Sequence, residues 1–245
     1  MICERSNAAG RMGRDVLSCI MMEAPVLFSC TARFEERDFV FLTSVIVEQT
    51  AEVAFRRFVA DPEGLHLILD DERILRAVLE SPALLNVSSA LYFYVLVRHS
   101  LKRSSIDEIA LAEYLGAVLA ERVSVNPADA LKGIPAGFVH TVDFLGMLDQ
   151  VSGNTRYELL VAAGNQFLVL TGIFPDFIRQ RAERHGAPCI AYYESFARSS
   201  YHQASDCAIA RRCGTSEMFD TLTQVLPEAR KSLNHVADSL LFLAS

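Results

Sequence analysis

Tyr157-Glu158-Leu159-Leu160-Val161-Ala162-Ala163-Gly164-Asn165-Gln166-Phe167-Leu168-Val169-Leu170-Thr171-Gly172-Ile173-Phe174 decides the fold. Apolar residues fall on nearly every face of this stretch, which marks a helix buried on all sides rather than an amphipathic surface helix. Asn165 and Gln166 interrupt it and Pro175 closes it, so it reads as a core helix and not as a membrane span. Leu91-Tyr92-Phe93-Tyr94-Val95-Leu96-Val97 has the same character but is far shorter, and Arg98 and His99 end it. The two segments predict a buried central helix pair.

Around that pair the chain reads as helix after helix. Asp61-Pro62-Glu63 joins an N-cap to a first-turn proline, and Ser81-Pro82 repeats the signal. Ser88 opens the segment that holds residues 91–97, and Asp107 opens the next, where Ile109, Ala112, Leu115 and Leu119 line one face. Thr50 precedes a helix over 51–58, Asn126-Pro127 opens a short one, and residues 138–151 form another. Gly186 is placed as a left-handed stop after residues 175–185. Thr215 is placed as the cap of a last helix that Pro227 should kink or split. Residues 38–47 alone have strand-like composition, but a lone strand has nothing to pair with, so they too are read as helix. The expectation is an all-α, single-domain multi-helix bundle of about nine or ten helices. Residues 1–30 are expected to be a poorly ordered or weakly helical leader, and 31–245 a single helical domain.

Composition bounds the function. Lys plus Arg number 23 against 30 Asp plus Glu, and the resulting charge of −7 disfavours general binding to a nucleic-acid backbone. Arg179, Arg181, Arg184 and His185 are the best basic patch, but they end a helix, where cations favour the negative end of the dipole. The six cysteines lack CxxC spacing, and scattered free thiols suit a soluble protein of a reducing cytoplasm. No phosphate-binding glycine loop, nucleophile elbow or HExxH zinc motif is present.

The candidate chemistry lies on the apolar helices. Arg98 ends an apolar run, so inside the protein it needs a carboxylate, and Glu194 is the candidate. Glu194, Arg198 and Tyr201 lie at i, i+4 and i+7 on a helix rich in aromatic residues, among them Tyr193. Asn165 on a buried helix needs partners for its amide, either a neighbouring helix or a ligand. Gly164 beside it weakens the helix and suggests that another backbone approaches there. Arg98, His99, Asn165, Tyr193, Glu194, Arg198 and Tyr201 are therefore the ligand-site candidates, with no catalytic residue assigned. Glu63 and His66 have the spacing of a di-iron ligand pair, and His140, Asp143 and His99 offer nitrogen and oxygen donors. Neither set is complete, so no metal and no cofactor are expected. The function expected is a protein-interaction or regulatory ligand-binding domain, with self-association or a small ligand also open. The alternative is a helical enzyme or metal-binding protein with an interior pocket lined by Arg98, His99, Asn165, Glu194 and Tyr201.

Overall fold

The structure, a computed structural model, describes residues 29–46, 61–80, 87–125 and 140–240. Among them are twelve α-helices and no strand. In chain order these are α1 (Glu36–Ile46), α2 (Pro62–Leu69), α3 (Glu72–Glu80), α4 (Ser89–Arg103), α5 (Ile109–Val125) and α6 (Thr141–Leu148). Then come α7 (Gly153–Ile173), α8 (Pro175–His185), α9 (Ile190–Ser205), α10 (Ala208–Arg212), α11 (Ser216–Gln224) and α12 (Leu226–His235). The all-α expectation holds, and residues 36–46 are helix as read. The described residues hold twelve against the nine or ten expected; the sequence reading passed over α3, although Asp71 caps it by accepting from the Arg73 amide at 2.8 Å, and the single turn of α10, which has no side-chain cap. The leader (apart from Ser29 and Cys30), the helices expected after Thr50 and Asn126, and the Ser81-Pro82 start lie outside the described residues.

The described residues form two compact units. The N-terminal unit comprises those within 29–125, with 172–174 and 227–240; the C-terminal unit comprises 140–171 and 175–226. Each of the two apolar segments is a core helix of its unit. Residues 93–101 of α4 are all buried, and α4 packs along α5, whose residues 111–120 are buried without exception. In the C-terminal unit, residues 157–171 of α7 are buried except for Glu158, Ala162 and Asn165, which are half-buried, and α9 packs against α11. No described helix is by itself long and apolar enough to cross a membrane; α7 and α8 reach that length and composition only as a pair bent by 90°.

Residue 171 ends the C-terminal unit's share of α7, while its last two residues belong to the other unit, and α12 begins on the last residue of one unit and continues in the other. Because two continuous helices straddle the division, we propose that residues 31–245 unfold as one domain. A single calorimetric transition, with equal calorimetric and van't Hoff enthalpies, is the expected result; two resolved transitions would divide the chain.

Local signals explain several boundaries. Asp61 accepts a hydrogen bond from the Gly64 amide at 2.9 Å, and Ser88 Oγ accepts one from the Leu91 amide at 3.1 Å, as N-caps do. Gly186, with φ 61°, ends α8. Thr215 is a correction, since its hydroxyl makes no cap bond and instead donates to the Ala210 carbonyl while meeting the Tyr157 hydroxyl at 3.1 Å. After α4, Ser105 adopts φ 61°, the Ile106 amide bonds the Leu101 carbonyl, and the Ser105 amide bonds that of Lys102. This is a Schellman stop with serine where glycine is preferred. Ser105→Gly should therefore stabilise the protein by about 1 kcal/mol, read from the urea midpoint; a loss of stability would contradict this account.

Candidate functional site

In the C-terminal unit the polar residues of α7 and α9 meet one another. The Tyr201 hydroxyl donates to Asn165 Oδ1 at 2.8 Å, so Asn165 ties two helices together. The Tyr201 ring is fully buried and stacks on Phe219 at 5.6 Å and 19°. Gly164 makes room for it, because a Cβ there would lie 2.7 Å from Tyr201 Cε1. A side chain, then, and not the expected backbone, approaches Gly164. Tyr193 stacks on Phe167 at 5.4 Å, and Phe144 and Phe196 close the same ring edge-on. The stripe of Glu194, Arg198 and Tyr201 divides by burial: Tyr201 is buried, Glu194 half-buried and Arg198 exposed. Tyr193 also lines a recess with Leu170, Phe177 and Arg181 whose free volume, about 10 Å³, holds little more than one water molecule.

The N-terminal unit holds the other candidates. Arg98, 3% exposed, grips Asp70 with both Nε (2.7 Å) and Nη2 (2.9 Å), a bidentate fork, and Nη2 also meets Asp107 at 2.5 Å. Lys102 adds a bond to Asp70 at 3.0 Å. The sequence offered Glu194 as the carboxylate for Arg98; the ones it meets are these two aspartates of its own unit. They sit at the end of α2 and just before α5, where no periodicity announces them. Burial raises the pKa of Asp70, but the hydrogen bonds and charges of Arg98 and Lys102 outweigh it and hold the carboxyl below its usual 3.8.

His99 is buried and donates from Nε2 to the Leu69 carbonyl at 3.1 Å. Burial holds its pKa below 6.5, against the opposing pull of that carbonyl and of Asp70. The folded state thus keeps His99 neutral while the unfolded chain takes up a proton near pH 6.5. Its contribution is complete above that pH and falls away as pH drops toward the lowered folded-state value. Urea midpoints should decline from pH 7 to pH 5, and His99→Gln should flatten that part of the profile; an unchanged slope would count against His99 as its source.

Sequence reasoning missed two buried carboxylates. Glu113, 8% exposed on α5, accepts from the Thr31 amide (2.9 Å), the Thr31 hydroxyl (2.7 Å) and Ser29 Oγ (3.2 Å). His66 Nε2 stands 3.8 Å from it, and His66 Nδ1 bonds the buried Tyr94 hydroxyl at 2.8 Å. The partners of His66 are therefore Tyr94 and Glu113, while Glu63, its partner in the di-iron spacing, is exposed. Asp38, fully buried, accepts from the Glu35 amide (2.8 Å), the Ser88 amide (2.6 Å) and Ser88 Oγ (2.6 Å). A lone acid within the all-round apolar stretch 111–120 was a legible sign for Glu113. Asp38 had none, since its partner is 50 residues away.

Among the described residues, no three His, Cys, Asp or Glu side chains are grouped to hold a metal ion. His140 and Asp143 are both exposed, at the start of α6. Comparison with known proteins found no match: no family matches the chain, and no match was found among curated proteins or solved structures.

Proposed function

We propose that this chain is a helical domain that works through contact with another protein. The carrying observation is on α6, where Val142 and Leu145 are 73% and 51% exposed one turn apart, while Thr141, Phe144 and Leu148 of the same helix are buried. The exposed ring of Tyr192 joins the head of that helix through a 3.0 Å bond to Thr141 Oγ1. Apolar and aromatic side chains presented together are what a protein interface uses as anchors. The polar candidates Arg98, His99, Asn165 and Tyr201 support the same reading, because each is engaged within its own unit in bonds that hold helices together. A reducing compartment suits the exposed thiols of Cys189 and Cys213.

Native mass spectrometry on protein purified from its own host, with metal analysis, tests this. A complex with a second protein, or a defined oligomer, is the expected result. A stoichiometric small ligand or metal on an otherwise solitary chain would overturn it in favour of an interior binding site.

A further inference from the structure

We propose that residues 29–33 are a strap that opens while the rest of the N-terminal unit stays folded, and so uncovers the Cys30 thiol and the Glu113 carboxylate. Thr31–Arg33 make a single 3₁₀ turn. Glu113 on α5 holds that turn as acceptor of the Thr31 amide, the Thr31 hydroxyl and Ser29 Oγ. Cys30 Sγ adds a bond to the Ala90 carbonyl of α4 at 3.1 Å. These ties are polar, and Cys30 alone of residues 29–33 is buried. A segment with so little buried apolar surface belongs to the low end of local stability.

The chain just beyond the strap is fixed. Asp38, fully buried, takes the Glu35 amide and both donors of Ser88, which holds the start of α1 in place. Phe34 lies between the lock and this anchor, extended at φ −66° and ψ 140°. A swing about Phe34 breaks the bonds to Glu113 and Ala90 and leaves α1 where it is. The bonds inside the turn travel with it, from the Arg33 amide to the Cys30 carbonyl at 3.0 Å and from the Ala32 amide to Ser29 Oγ at 3.2 Å. Glu113 is not stranded by the swing, because His66 Nε2 already stands 3.8 Å from it and water reaches it as the strap leaves.

Cys30 is seated where α5 comes closest to α4. A Cβ on Gly116 would lie 3.1 Å from Tyr94 Cα and 3.2 Å from Cys30 Sγ, so the glycine leaves the thiol its place. Burial first, and then the charge of Glu113, push the pKa of this thiol up. The thiolate is the reactive form, so Cys30 is inert while the strap is closed and an ordinary thiol once it opens.

The test is iodoacetamide labelling of the full chain in urea below its unfolding transition, followed at Cys30 by peptide mass spectrometry. Cys189 and Cys213, both exposed, label first and calibrate the reagent. The Cys30 rate should be nearly flat at low urea and steepen only where global unfolding takes over. Glu113→Gln sets an amide nitrogen among donors that met a carboxylate, and should speed labelling by about tenfold or more. Thr31→Val removes the hydroxyl bond but keeps the amide bond, and should speed it by about fivefold. The far-UV circular dichroism of both variants should match the parent's. A Cys30 rate with the full urea dependence of global unfolding at every concentration overturns the strap. So does an unchanged rate in Thr31→Val, which decides the matter even if Glu113→Gln does not fold.

Discussion

Asp38→Ala is expected to destabilise the protein by about 3–5 kcal/mol, because it strands buried donors that now share one carboxylate. Asp38 stands at the third position of α1 and reaches back to the Glu35 amide, the returning half of a capping box. Its two oxygens also take the amide and hydroxyl of Ser88 at 2.6 Å each. Ser88 Oγ in turn accepts from the Leu91 amide, so one buried acid organises the start of α1 and, through a serine, the start of α4. Alanine would leave the Ser88 amide without an acceptor in a place that water does not reach easily. Ser88→Ala removes the relay but keeps the carboxylate on two backbone amides, and should be milder, about 1–2 kcal/mol. If the two residues act as one unit, the double mutant should fall short of the sum by at least about 0.5 kcal/mol. Urea unfolding of all three variants is the measurement. A loss below about 1 kcal/mol for Asp38→Ala would show that the site hydrates and that the contact is not structural.

The sequence carried the helices better than their partners, and the reason is physical. All-round apolarity is a local property, so α4 and α7 were legible as core helices from their own residues. The caps at Asp61 and Ser88 and the stop at Gly186 were legible because each acts within four residues of itself. The need for a partner was legible too, since Arg98 and Asn165 sit where an unpaired group would be penalised. Which partner answers that need was not. Asn165 and Tyr201 were both among the candidates, but their bond was not foreseen, because it joins residues 36 apart on two helices whose packing no local pattern announces. Asp70 and Asp107 escaped because they lie in turns, where nothing periodic says which way a side chain points. Thr215 shows the converse error: it matched the cap pattern, but the buried Tyr157 hydroxyl claims its side chain.

Gly164→Ala shows how far tertiary contact overrides local preference. Helix propensity alone predicts that alanine would stabilise α7 by about 1 kcal/mol. The structure predicts the opposite sign. The new Cβ would lie 2.7–2.9 Å from three atoms of the Tyr201 ring, inside van der Waals contact. That ring cannot swing aside, because its far face stacks on Phe219 and its hydroxyl is held by Asn165. Overpacking at such a site costs about 1–3 kcal/mol or more, so a net loss of about 2 kcal/mol is expected from thermal or urea unfolding. Tyr201→Phe keeps the ring and removes only the bond to Asn165, and should lose about 1 kcal/mol without relieving the clash. Tyr201→Leu replaces the flat ring with a smaller, more adaptable side chain. Gly164→Ala placed in that background should no longer destabilise, and its helix propensity should show through as a gain. If alanine at position 164 stabilises the protein with Tyr201 intact, then α7 and α9 do not approach as closely as described, and the Asn165 tie falls with that contact.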